Sequence, residues 1–457
     1  MSKANDFGRD SIPLLVLKIS IPFMIAQFVN VFYSIVDRIY VGNIPGTGAD
    51  ALAGVGICAP IVTLLSSFGT LFGIGGSVLF SVRLGAEDEK GARRILANSF
   101  SMMIIVSLVL TVLFLLTKDQ LLVWFGASEV TFPYADRYLT IYTAGTFFAL
   151  LSMGMNYFIT AQGFPVLGMM TTLIGAVINI ILDPVFIFLF DMGVAGAAGA
   201  TVIAQMSSCA FVLLTLRRKK MKVPLGLTKP ELSVGWRIVK IGFSPFLILA
   251  TDSIIIIALN AVLQYYGGRE YGDTLITAAT IVQSYMLLIT SPMLGITGGS
   301  QPLISFNYGA NRPDRIRKTF FWVLMLCVCF TSVMFLISRI APQYFVAIFT
   351  DNQEYAELAV WGIRVFTLMI VPLSFQYVFV DGLTALGMTK ISLTLSLIRK
   401  ALYFGATCIL PLIFTAQSAF YAEPAADGIA ASISCIVFWF IYRKYLRGGG
   451  RLKDIKI

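Results

Sequence analysis

The chain has 457 residues, of which 57% are hydrophobic and 13% charged, with a mean hydropathy of +0.83. A soluble domain of this length carries about a quarter charged residues, so a water-soluble globular fold is excluded and lipid is the expected solvent for most of the surface. The net charge of +10 is not a nucleic-acid footprint, because the basic residues stand between apolar runs, where they set topology in a bilayer.

The residues before Ile12 are polar, and the apolar run that follows is too long for a cleaved signal peptide, so it is taken as the first spanning helix. Twelve spans are expected, at 14–42, 51–82, 93–117, 133–161, 165–190, 194–217, 236–265, 274–306, 317–340, 355–387, 390–416 and 427–446. Basic residues cluster in alternate connections. The clusters are Arg83, Lys90, Arg93 and Arg94; Arg217, Arg218, Lys219, Lys220, Lys222 and Lys229; Arg312, Arg315, Arg317 and Lys318; and Arg443, Lys444, Arg447, Arg451, Lys453 and Lys456. The opposite connections hold acids instead: Asp50, Asp191, Asp351, Glu354, Glu423 and Asp427. The positive-inside rule then puts both termini in the cytoplasm of a multi-pass plasma-membrane (inner-membrane) protein.

The chain repeats itself. Ser81, Gly85-Ala86 and Arg93-Arg94 return 224 residues later as Ser305, Gly309-Ala310 and Arg317-Lys318. The expected organisation is an amino-terminal six-helix lobe (1–225), a cytoplasmic linker (226–235) and a carboxy-terminal six-helix lobe (236–457). With an even number of spans per half, the halves are parallel repeats about an axis along the membrane normal, a pattern typical of transporters.

The six cysteines (Cys58, Cys209, Cys327, Cys329, Cys408 and Cys435) all fall inside apolar runs without metal-ligand spacing, so no metal is expected and packing explains them. There is no histidine, so any proton carrier must be a carboxylate. There is also no Gly-Lys pair and hence no phosphate-binding loop. No enzymatic activity and no organic cofactor are expected; energy comes from an ion gradient, from a partner, or from nowhere.

Charges inside spans are costly and point to function. Gln27, Asn30, Ser34 and Asp37 follow at spacings of three, four and three, which puts them on one face of the first helix. Asn179 and Asp183 are one turn apart in the fifth span; Tyr138, Tyr142, Ser152 and Asn156 share a face of the fourth; Thr201 and Gln205 lie in the sixth. Two carboxylates gathered among hydroxyls and amides, away from water, make a natural proton carrier. The blander readings are that Asp37 is solvated at a helix end or paired with Arg38, and that Asp183-Pro184 only marks a kink. In the second half the aligned positions are Asn260 and Thr407, so both carboxylates are lost there. That half has Asp252 and Asp381 instead, near Arg364, Arg399 and Lys400, any of which can pair structurally.

Several strings carry a family resemblance: Val36-Asp37-Arg38-Ile39-Tyr40-Val41-Gly42, Gly85-Ala86, Gln162-Gly163 and Asn179-Ile180-Ile181-Leu182-Asp183-Pro184. In this order and spacing, over nearly the whole chain, the sequence resembles the multidrug and toxic compound extrusion (MATE) family, its bacterial drug-efflux branch most. The resemblance implies an all-α integral membrane protein of twelve helices, in two pseudo-twofold-related six-helix lobes forming a V. It implies an alternating-access antiporter exporting amphipathic or cationic drugs in exchange for H⁺ or Na⁺. Asp37, Asp183, Tyr138, Asn156, Asn179 and Thr201 match the family's amino-lobe proton site; Gln27, Asn30, Ser34, Tyr142 and Gln205 are candidates for the substrate cavity. Asp252 matches an acid of the carboxy-lobe cation site. The second acid of that site does not match, since Gln376 stands there and Asp381 is displaced by more than a turn, which favours protons through the amino lobe. The expected partners are small organic cations and the bilayer, the expected state is a monomer, and nucleic acid is not expected. A lipid-linked saccharide flippase of related architecture would line its cavity with cations, whereas the mid-span charges here are mostly acids. A non-transporting receptor or scaffold would need no buried carboxylate cluster, and no repeated filter-like segment suggests a channel.

Overall fold

The computed structural model describes residues 5–447 apart from Leu227, Lys229 and Asp351, with backbone alone at Ala49, Ser253, Ile254, Ile256, Ile257, Arg269, Glu270 and Asp273. Both chain ends, and Lys229, Asp351, Arg451, Lys453 and Lys456 of the charge pattern, lie outside the described residues. What is described is all helical. In order come α1 (Ile12–Gly42), α2 (Gly48–Gly85), α3 (Glu89–Trp124), α4 (Phe132–Ala144), α5 (Thr146–Ala161), α6 (Pro165–Pro184) and α7 (Val194–Leu216). Then follow α8 (Leu232–Gly309), α9 (Pro313–Ile340), α10 (Pro342–Val346), α11 (Gln353–Phe366), α12 (Ile370–Ala385), α13 (Thr389–Ile413) and α14 (Ala422–Ile441). Eleven helical stretches are long and apolar enough to cross a membrane, and the bent pair α4–α5 makes a twelfth.

Four expected boundaries change. The fourth span is two helices meeting at 55° around Gly145, where a side chain would strike Val202 Cγ2 at 2.5 Å. The two halves of the expected Tyr138–Asn156 stripe therefore lie along different axes, and Ser152 turns its hydroxyl back to the Ala149 carbonyl at 3.0 Å. The seventh and eighth spans stay two helices, but the loop expected between them is a kink within α8 at Gly268, whose φ of 72° is a conformation suited to glycine. The tenth span passes through a 3-10 turn at Thr367–Met369. The last span begins earlier than expected, so Glu423 and Asp427 are not loop acids but buried residues of α14. They tolerate this position because a buried arginine meets them there. Pro184, lacking an N–H, ends the regular ladder of α6, and a π-helical turn follows at Val185–Leu189.

The chain forms two compact units. The first contains the residues up to Asp10 and Ile25–Ala250; the second contains Ser11–Met24 and everything from Thr251 onward. Thus the first two turns or more of α1 belong with the carboxy-terminal helices, and the opening of α8 belongs with the amino-terminal ones. In the first unit α2 packs on α3, α4 and α5, and α7 packs on α5 and α6. Its core includes Cys58, Ile61, Leu65 and Leu139. The opening of α8 fits tightly against α2, since a Cβ on Gly242 would lie 1.8 Å from the Leu71 carbonyl oxygen. In the second unit α14 packs on α12 and α13, and α9 packs on α12. Its core gathers Val282, Ile289, Phe366 and Phe420. There Gly295 lets the Met24 backbone approach, to 2.8 Å from where a Cβ would be.

The duplication seen in the sequence is written in the backbone. After α2, Glu87 has φ 59° and Asp88 N–H donates to the Arg83 carbonyl at 2.9 Å. After α8, 224 residues on, Asn311 has φ 54° and Arg312 N–H donates to Asn307 at 2.9 Å. Gly163 and Gly387 form a second matched pair, with φ 89° and 74°.

Candidate functional site: a carboxylate pair in the first unit

Three helices of the first unit build the site. The fifth predicted span, now α6, places Asn179 and Asp183 one turn apart on its inner face, 1% and 0% exposed. Asn179 Nδ2 is shared between Asp183 Oδ1 at 3.1 Å and Thr201 Oγ1 of α7 at 3.3 Å. From α1, the half-buried Asp37 carboxyl comes near that of Asp183, each in the other's electrostatic field. Two carboxylates so placed repel unless a proton or another cation offsets one of the charges. Arg38 is exposed and makes no salt bridge to Asp37 among the described residues, as expected of neighbours about 100° apart on a helix.

The aromatic wall comes from α4. Tyr138 and Tyr142 are buried and stacked, with ring centroids 6.1 Å apart. Ser66 and Gln205 stand near the Tyr142 hydroxyl, and Tyr138 lies in the electrostatic field of Asp37. Asn156 of α5 donates to the Gly168 carbonyl at 3.2 Å, tying α5 to α6. Asp37 Oδ1, Asp183 Oδ2, Asn179 Oδ1, Asn156 Oδ1 and Gln205 Oε1 are buried with no donor among the described residues. The two carboxylates and the Asn179 amide between them thus each leave an oxygen open, which is a setting for a proton or a cation. Gln27 and Ser34 are half-buried and Asn30 is exposed; among the described residues no hydrogen bond joins them to the carboxylates.

Sequence reading missed Tyr33 and Ser66. Tyr33 feels Asp37, Asp183 and Tyr142 electrostatically. It precedes Asp37 by four residues, and that helical spacing was the available signal. Ser66 carried none, because hydroxyls are common in apolar spans.

The second unit is different in kind. Asn260 and Thr407, at the positions aligned with the two carboxylates, bury oxygens that no described residue satisfies. Gln376 is fully used: it donates to the Leu395 carbonyl at 3.2 Å and accepts from Ser434. Asp381 accepts a hydrogen bond from Thr297. Asp252 pairs with Lys400 at 2.6 Å, and Lys400 also reaches Thr251 at 2.8 Å. Arg399 donates to both Glu423 and Asp427, each at 2.7 Å, and Tyr403 stands near Glu423. Here cations meet three of the carboxylates, Asp381 having only Thr297, whereas among the described residues no cation forms a salt bridge with Asp37 or Asp183 and Arg38 acts on Asp37 through its field alone.

A repeated bundle of apolar helices with a buried acid pair defines a polytopic membrane protein of the transporter class. The MatE family model matches residues 22–185 and 249–406, one stretch in each repeat. The chain belongs to this family. It is 25% identical over 441 residues, 95% of each chain, to the multidrug export protein MepA of Staphylococcus aureus strain MSSA476. It is 26% identical to MepA of Staphylococcus haemolyticus strain JCSC1435, over 91% of this chain and 89% of that one. A multidrug resistance MATE transporter of the MOP superfamily, solved in an outward-facing conformation, matches its fold with a TM-score of 0.89 at 21% identity, over 99% of this chain and 100% of the other.

Proposed function

We propose that this chain is a secondary antiporter that exports amphipathic organic cations in exchange for protons, by alternating access. The observation that carries this reading is the Asp37–Asp183 pair, a half-buried and a buried carboxyl in each other's field, with no salt bridge to a cation among the described residues and with an oxygen of each left without a donor. Family membership and the multidrug export named for its relatives support it.

The mechanism follows from competition for one buried charge. With a proton between Asp37 and Asp183 the pair is a single anion held by Asn179; without it the pair carries two charges and attracts an organic cation. Each ligand therefore opposes the other, and coupling requires only that each bind the two conformations differently. Asn179 and Thr201 orient Asp183. Tyr138, Tyr142 and Tyr33 supply ring faces to a drug cation, an attraction of about 0.5–2 kcal/mol per ring. Pro22 interrupts the α1 hydrogen-bond ladder and makes α1 the element that bends when the pair changes charge. The protein needs no organic cofactor and no enzymatic step; the coupling ion is its only inorganic partner. It acts as a monomer in the plasma membrane with both termini cytoplasmic, and it binds no nucleic acid.

The test is efflux of ethidium from proteoliposomes under an imposed pH gradient and, separately, an imposed Na⁺ gradient. Efflux driven by the pH gradient and abolished by Asp37→Asn supports the reading. Efflux driven by Na⁺ and unchanged in Asp37→Asn moves coupling away from this pair, with Asp252 the first residue to test. No efflux under either gradient removes the reading.

A further inference from the structure

Among the unsatisfied buried atoms of the second unit are two donors, Arg339 Nε and the Tyr285 hydroxyl. α9 begins at its basic connection and ends, a full span away, at Arg339 and Ile340. The Arg339 guanidinium lies over the Phe335 ring, 4.6 Å from its centroid, and donates from Nη2 to Thr367 Oγ1 at 2.9 Å. Its Nε is buried with no acceptor among the described residues. Arg364 of α11 donates to the Arg339 backbone carbonyl at 3.5 Å, and its charge acts on the Arg339 guanidinium. Among the described residues neither arginine makes a salt bridge. Tyr285 of α8, 3% exposed, interacts electrostatically with Arg339, and its hydroxyl is also buried without a partner.

Like charges are not held together in an apolar protein without a counter-charge, and a buried charge is normally paired. The attraction of arginine for the carbonyls at a helix C-terminus accounts for Arg364. It does not account for Arg339 Nε or the Tyr285 hydroxyl. Both are donors, and with Arg364 they offer N–H and O–H groups from three helices to one ligand. A forked guanidinium suits an oxyanion with several acceptor oxygens, phosphate above all. Arg364 is exposed and Arg339 half-buried, so an anion can enter from the surface while its oxygens reach the buried donors. The end of a span is the depth at which lipid phosphates lie.

We propose that Arg339, Arg364 and the Tyr285 hydroxyl form a binding site for a phosphate oxyanion, supplied by a phospholipid headgroup. The site is separate from the carboxylate pair and does not depend on the transport reading.

The test is native mass spectrometry of the purified full chain, counting retained dioleoyl-phosphatidylglycerol against dioleoylglycerol, which has no phosphate. The wild type retains the phospholipid and not the diacylglycerol. Arg339→Gln lowers retention roughly tenfold, the effect of losing one charge-assisted hydrogen bond of about 1.4 kcal/mol or more. Tyr285→Phe lowers it by less. Inorganic phosphate is added in a parallel arm: displacement of the lipid shows that free phosphate also fills the site, and resistance shows that the headgroup is the ligand that matters. Arg364→Gln, at an exposed position, carries the test if Arg339→Gln does not fold. Retention equal to wild type in a folded arginine variant, or equal retention of diacylglycerol, overturns the site.

Discussion

Asp37 and Asp183 were legible because a carboxylate within an apolar run is rare, and helical spacing showed which neighbours share its face. What the sequence did not contain is which groups are already satisfied. Gln376 stood at a family cation position, yet both ends of its amide bind Leu395 and Ser434, which suits a tie between helices. Asp252 looked like an available acid and has Lys400 as its partner. Asp252 and Lys400 lie 148 positions apart and Gln376 and Ser434 lie 58 apart, and no periodicity reveals such pairings. Two outcomes are expected at this scale. Asp183→Asn leaves insertion and melting temperature near wild type and abolishes gradient-driven efflux, checked on the same purified sample. Asn179→Leu removes the shared donor to Asp183 and Thr201 and leaves buried acceptors behind; it lowers stability by about 1–3 kcal/mol and slows efflux, measured by thermal melting and proteoliposome flux.

Among the elements, α13 and α14 depend most on one residue. Arg399 joins them through two charge-assisted bonds, to Glu423 and to Asp427, which is 0% exposed. Removing the cation strands two buried carboxylates, so Arg399→Met destabilises by roughly 3–5 kcal/mol. Adding Glu423→Gln and Asp427→Asn restores much of the loss. A melting series in one detergent checks both, and a triple variant no better than the single one contradicts the clamp. Reading Glu423 and Asp427 as loop acids failed because hydropathy ends a span at its first acids, whereas the helix continues when a buried partner meets them. The break at Gly145 was hidden for a related reason. Its cause is Val202 of another helix, and only the packed structure brings the two together. Glycine also sets the approach of α8 to α2. Gly242→Val would press on the Leu71 carbonyl and lowers the yield of folded protein, whereas Gly405→Ala, with nothing within 4 Å, does not. Fluorescence-detected size exclusion measures both.

At the scale of the whole molecule, duplication was the strongest sequence signal, and the backbone repeats it down to the left-handed residues Glu87 and Asn311. Span number followed from hydropathy for the same reason: lipid imposes a length on every helix that crosses it. The division of α1 and α8 between the two units was not legible, because a helix that changes company midway keeps one uninterrupted apolar pattern. The two repeats share a scaffold and differ in charge. One brings two carboxyls together without a salt bridge among the described residues, and the other pairs Glu423 and Asp427 with Arg399 and Asp252 with Lys400. The proposed coupling through the first unit predicts that neutralising Asp252 together with Lys400 spares proton-driven efflux.

The central claim is that a proton and an organic cation compete for Asp37 and Asp183. Its most direct measurement is proton release on drug binding, with ethidium titrated into purified protein in weakly buffered detergent solution containing a pH-sensitive dye. The account predicts protons released in proportion to ethidium bound by the wild type, and none from Asp37→Asn/Asp183→Asn. Saturable ethidium binding to the wild type without proton release, or equal release from the double variant, would contradict it.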